Sequence, residues 1–263
     1  MTSFNQKLLM VALTTVTAFS LATTANAAGW GTLKGKFVYK GKAKPVELNI
    51  TKDVEFCSKH DLVDESVVVG DDGALSNVFV FLYTKRGATV KPHPDYEKAD
   101  MKPAVLDNKG CRFEPRAMTL WTKQPLEIRN SDEGIGHNTN ATLRKNPKFN
   151  ETITNDKAIT KKFDKSEPGP APFACNVHPW MSALVLIRDN PYMAVSNAKG
   201  EFEIKNLPAG EHEFVFFHEK PGYMKSLVVG KEKADRKGRV EIEITDGKTV
   251  DLGEIVVTEK LLN

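Results

Sequence analysis

Cys175, His178 and Met181 stand within seven residues, in the run Cys175-Asn176-Val177-His178-Pro179-Trp180-Met181. A thiolate, an imidazole and a thioether on one short loop form a ligand set for a soft or borderline metal ion. Sulfur donors with imidazole select copper, and a weak axial Met beside a Cys/His site suits a copper ion that passes single electrons. Such an ion exchanges electrons fast when its geometry hardly changes, and a trigonal His2Cys plane with a long Met serves that need. The loop lacks a second imidazole. His137, in Gly134-Ile135-Gly136-His137-Asn138, is the candidate. The metal would hold Cys175 as the thiolate. Each residue alone has an ordinary reading, a buried thiol for Cys175 and a core gap-filler for Met181. Their spacing is what joins them.

The elements that must position these donors read as strands. Helical periodicity is nearly absent beyond the first 27 residues, and short β-branched apolar runs alternate with turn residues. Leu33–Tyr39, Ser66–Val69, Val78–Tyr83, Ala117–Trp121, Leu126–Asn130, Ala183–Arg188, Tyr192–Ser196, Glu201–Ile204, Glu213–His218, Val240–Ile244 and Leu252–Thr258 are the predicted strands. Glycine turns such as Asp71-Asp72-Gly73, Asn108-Lys109-Gly110 and Ala198-Lys199-Gly200 separate them. Many short strands at this spacing predict an all-β chain, a Greek-key β-barrel or sandwich for the metal-binding part and a second β-sandwich for the flanks. Pro168-Gly169-Pro170-Ala171-Pro172 reads as a stiff extended lead into the cysteine loop, or simply as a break between strands.

Residues 1–27 have the pattern of a secretory signal: Lys7, an apolar stretch from Leu8 to Leu21, and a small-residue cleavage site at Ala25-Asn26-Ala27. The stretch is short and interrupted for a membrane span. The expectation is a periplasmic or secreted protein with no membrane span. Export permits disulfides, and three cysteines leave one over. The economical arrangement pairs Cys57 with Cys111 and keeps Cys175 for the metal. Its alternative is two free thiols. That bridge would close a loop of about 55 residues, worth roughly 4 kcal/mol in the chain-entropy account.

By sequence the chain divides into an N-terminal β region (28–100), a metal-binding domain (101–190) and a C-terminal β region (191–263). The central zone resembles a cupredoxin, most closely the amicyanin and plastocyanin branch. The likeness runs from Phe113-Glu114-Pro115 through Leu126-Glu127-Ile128-Arg129-Asn130 to His137-Asn138. It resumes at Lys161-Lys162-Phe163 and continues through the Cys175–Met181 loop to Leu184-Val185-Leu186-Ile187. The resemblance implies one type-1 copper per chain, held by His137, Cys175, His178 and Met181, and an electron carrier rather than a catalyst. It also implies that Asn138 ties two loops together, although an ordinary turn Asn reads as well. Two departures touch no donor. Gly169-Pro170-Ala171-Pro172-Phe173-Ala174-Cys175 lacks the Tyr usual before the thiolate, and Ile135-Gly136 lacks a common Pro.

The flanks resemble carboxypeptidase-regulatory-like sandwiches, in Gly31-Thr32-Leu33-Lys34-Gly35-Lys36-Phe37 and in the hairpin pattern Gly200-Glu201-Phe202-Glu203-Ile204-Lys205-Asn206-Leu207-Pro208-Ala209-Gly210. They form either one sandwich interrupted by the central zone or two independent units. If the His178 edge reaches solvent, Pro179 and Trp180 form an apolar rim for docking a redox partner and His178 is the electron exit. Otherwise Trp180 packs over the loop. His60, His93, His212 and His218 lack ligand spacing and read as surface or strand residues. A net charge of +3 in 263 residues gives no basic face that would call for nucleic acid. A non-redox binding module or copper store is the competing function.

Overall fold

The computed structural model describes residues 29–98, 101–155 and 157–262. The leader-like segment 1–27 therefore lies outside the described residues. The chain is all-β, with a few short helical turns.

Strand Trp30–Lys40 buries Leu33 and Phe37 on one face, and Lys34 and Lys36 take the other. It pairs antiparallel with Glu201–Pro208 and parallel with Thr249–Thr258, so the first and last strands among the described residues share one sheet. A second sheet runs Met193–Val195, Phe79–Leu82, Gly210–His218, Gly222–Tyr223, with Arg239–Ile244 also paired to Gly210–His218. The two sheets bury a common core that includes Leu33, Phe37, Val80, Leu82, Phe214, Phe216 and Ile255.

Residues 104–188 build a second pair of sheets. One runs Ala117–Trp121, Ser182–Arg188, Ala171–Ala174, His137–Ala141, Phe149–Ile153. The other runs Phe113–Glu114, Ala104–Asn108, Leu126–Asn130, Ile159–Lys161. Leu106, Leu126 and Ile128 of the second meet Phe173, Val185 and Ile187 of the first in one core. Among the described residues no sheet closes on itself, so this unit is an open two-sheet sandwich rather than the barrel of the alternative expectation.

Phe79–Leu82 is buried on both faces, as its unbroken apolar run requires. Val80 and Leu82 enter the outer core, and Phe79 and Phe81 pack with Val215 against Ala117 and Leu186 of the central unit. Arg116 bridges the same seam with two hydrogen bonds to Glu219, Nε to Oε2 at 3.1 Å and Nη2 to Oε1 at 2.8 Å.

Several strands lie where the sequence pattern does not place them. His137–Ala141 is mostly polar, and it becomes a strand because neighbours pair with it on both sides. Pro172 sits inside strand Ala171–Ala174, where its carbonyl accepts from the Thr142 N–H at 2.9 Å. The expected strand Ser66–Val69 reduces to a single bridge between Val69 and Leu75.

His218 ends a core strand, fully buried, with no hydrogen-bond partner on Nε2. Burial, and then the charges of Lys220 and Arg116, push its pKa down to about 4. A histidine depressed below its unfolded value lends its full stability above pH 6.5 and loses it as pH falls toward 4. Metal-free protein is expected to lose about 3 kcal/mol across that window from this residue. Chemical unfolding at stepped pH checks this, and His218→Gln is expected to flatten the slope.

Candidate metal centre

The Cys175 loop leaves strand Ala171–Ala174 and returns into Ser182–Arg188. Two backbone hydrogen bonds close it: the Cys175 N–H donates to the Met181 carbonyl at 3.1 Å, and the Met181 N–H donates to the His178 carbonyl at 2.9 Å. The turn folds Cys175 and His178 inward, and both are buried. His137, the first residue of strand His137–Ala141, reaches them from the adjacent strand. The donor atoms of His137, Cys175 and His178 all lie within 4.8 Å of one another. The two Nδ1 atoms are 3.0 Å apart, and the Cys175 Sγ is 4.0 Å from that of His137 and 3.8 Å from that of His178. Met181 is buried and belongs to the same core cluster as Cys175.

Each imidazole is gripped by its far nitrogen. The His137 Nε2–H donates to the Asp132 Oδ2 at 2.9 Å. The His178 Nε2–H donates to the Asp53 Oδ2 at 2.8 Å. A carboxylate only accepts, so each Nε2 carries a hydrogen and the two Nδ1 atoms are turned toward each other. At 3.0 Å they can share a proton or flank a metal ion. With a soft thiolate beside them, the donor set fits a copper or zinc ion bonded at roughly 2.0–2.3 Å. Carboxylates behind both histidines are the usual outer support of such an ion.

The local electrostatics point the same way. Burial raises the Cys175 thiol, but hydrogen bonds from His137, Asn138 and His178 outweigh it and bring the pKa down to about 6. Burial lowers His137, while Asp132 and then Cys175 pull it up to about 8. Burial pushes the Asp132 carboxyl up, but the His137 ring and the Cys111 and Gly110 N–H groups outweigh it and hold it below the ordinary carboxylate value. Asn138 joins the two ligand segments. Its Oδ1 accepts from the Asn176 N–H at 2.7 Å, the Val177 N–H at 3.3 Å and the Cys175 thiol at 3.4 Å. Its Nδ2 donates to Asn150 Oδ1 at 2.6 Å.

The reading of His178 as a solvent-facing edge rimmed by Pro179 and Trp180 is corrected. His178 is 0% exposed, because the segment around Asp53 lies over it. Pro179 is exposed, but Trp180 is half-buried: it packs on Cys57, Leu62 and Cys111, and its Nε1–H donates to the Cys111 carbonyl at 3.0 Å. Cys57 and Cys111 form a disulfide, and Cys175 is free.

Asp132 and Asp53 carry roles that sequence reasoning missed. Asp132 lies five residues before His137, a spacing that could have drawn notice. Asp53 is 125 residues from His178, and nothing local links them.

No protein-family model matches this chain, and no curated protein matches it. Among solved structures it is similar to a copper-containing nitrite reductase from Thermus scotoductus SA-01, at 15% identity and a TM-score of 0.30. That match covers 40% of this chain and 25% of the reductase, so the chain spans about a quarter of that protein's length. It is similar to a purple cupredoxin from Nitrosopumilus maritimus, at 18% identity and a TM-score of 0.27, over 32% of this chain and 98% of the other. It is also similar to a reduced amicyanin variant, at 17% identity and a TM-score of 0.30, over 41% of this chain and 98% of the other. Likenesses this distant carry no functional argument.

Asp132→Ala is expected to destabilise the metal-free protein by about 3 kcal/mol in urea unfolding, since it strands two buried N–H groups and the His137 ring N–H.

Proposed function

We propose that this chain is an exported type-1 copper protein that carries single electrons between redox proteins. The observation that carries this reading is the convergence of three buried donors, His137, Cys175 and His178, within 4.8 Å. In this reading His137, Cys175, His178 and Met181 would hold one copper ion per chain, which would supply a one-electron couple when bound. The chain's own residues do the rest. Burial keeps water from the donors, Asn138 locks the two ligand segments together, and Asp132 and Asp53 hold the rings in the tautomer that a metal needs. The Cys57–Cys111 disulfide and the leader-like pattern at 1–27 support export, to the periplasm or beyond. No helix among the described residues is long and apolar enough to cross a membrane.

The cover over His178 favours a second reading, a copper-holding module that exchanges electrons slowly. Cyclic voltammetry separates the two, because a carrier gives a fast reversible couple.

Copper(II)-loaded protein is expected to bind one ion per chain and to show an intense visible thiolate-to-copper band, and Cys175→Ser is expected to be colourless. A folded, loaded wild type without that band overturns the copper reading.

A further inference from the structure

The segment between strands Trp30–Lys40 and Phe79–Leu82 belongs by sequence to the outer sandwich, yet it lies across the ligand loop of the central one. Its helix Val54–Cys57 is only four residues long and starts from Asp53. The Asp53 carbonyl accepts from the Phe56 and Cys57 N–H groups at 3.0 and 2.9 Å. Its carboxylate makes no capping hydrogen bond. Aspartate at this position ordinarily spends its side chain on the helix N–H groups. Here the side chain turns to the His178 Nε2–H instead. The backbone of Asp53 is left-handed, at φ 45° and ψ 44°, a conformation that Asp tolerates better than most residues.

Two further connections hold this segment in place. Cys57, at the end of the same short helix, is disulfide-bonded to Cys111. The Gly110 and Cys111 N–H groups in turn donate to the Asp132 carboxylate at 2.5 and 2.8 Å. One covalent bridge thus joins the loop behind His137 to the loop behind His178. Trp180, two residues past His178, packs on that bridge with Leu62 and Phe56.

We infer that Asp53 is a positioning residue for the metal centre: carried by a disulfide-tethered strap, it fixes the His178 ring with Nδ1 facing Cys175 and His137. The inference deepens the copper reading and rests on it. Asp53 stands between the buried ring and solvent, with 34% of its side chain exposed where His178 has none. A carboxylate on the far nitrogen makes the imidazole a stronger donor. That favours copper(II) over copper(I) and lowers the reduction potential.

The test compares wild type with Asp53→Gly, which removes the carboxylate and accepts the left-handed backbone, and with Asp53→Asn, which keeps an acceptor without the charge. Asp53→Gly is expected to bind copper about 10- to 100-fold more weakly. It is also expected to shift the thiolate-to-copper band and to raise the potential, with Asp53→Asn lying between the two. In metal-free protein, long-range 15N–1H NMR is expected to find His178 as the Nε2–H tautomer in wild type and as a mixture in Asp53→Gly. Wild type with a normal copper band, alongside an Asp53→Gly protein unchanged in band, potential and tautomer, overturns this role alone. Wild type without the band overturns the copper reading and this role with it. If Asp53→Gly fails to fold, Asp53→Asn decides by the same readings, and its matching wild type in both potential and tautomer overturns the role.

Discussion

A buried imidazole offers one chosen nitrogen to a metal only when its other nitrogen is held, and that constraint organises the centre. Asp132 holds His137 and Asp53 holds His178, each through a ring N–H, so both free nitrogens converge beside the only free thiol. Neither carboxylate comes from the ligand loop. Asp132 is fixed by backbone N–H groups at Gly110 and Cys111, and Asp53 by a short helical turn. The disulfide makes those two supports one piece. Remove that constraint, and the buried rings turn without a preferred direction in a site that cannot hydrate them.

Packing serves the same end on a larger scale. Phe79–Leu82 faces two cores at once, and it therefore fixes the outer sandwich against the central one. The Arg116–Glu219 pair seals the seam with charge-assisted bonds. The strap that reaches from one unit to His178 of the other is thus backed by this seam as well as by the Cys57–Cys111 disulfide.

The Cys175–Met181 loop stood out because its signal is local: three possible donor types fall in seven residues, and the structure brings Cys175 and His178 together with His137. The all-β class was legible from alternating runs such as Glu201–Pro208, where apolar side chains take one face. Strand His137–Ala141 was not, because Asn138, Thr139 and Asn140 carry no apolar alternation and the strand exists only through its neighbours. An open sandwich and a barrel share the same strand pattern, so only pairing distinguishes them. Asp53 was hidden for a sharper reason. An Asp before a helical turn reads as a cap, and its real partner is 125 residues away. The buried edge of His178 was missed with it, since the cover comes from outside the unit that holds the ligands.

The pairing of the first and last described strands also sets the two units apart. Trp30–Lys40 pairs along its length with Glu201–Pro208 and Thr249–Thr258, so its sheet draws strands from nearly the whole described chain. The central strands all lie between Ala104 and Arg188, and their ladders close without either end. Topology therefore separates the two: the ladders that carry His137 and Cys175 need no strand of the outer sandwich, and the strap tethered by Cys57–Cys111 is what reaches them from it.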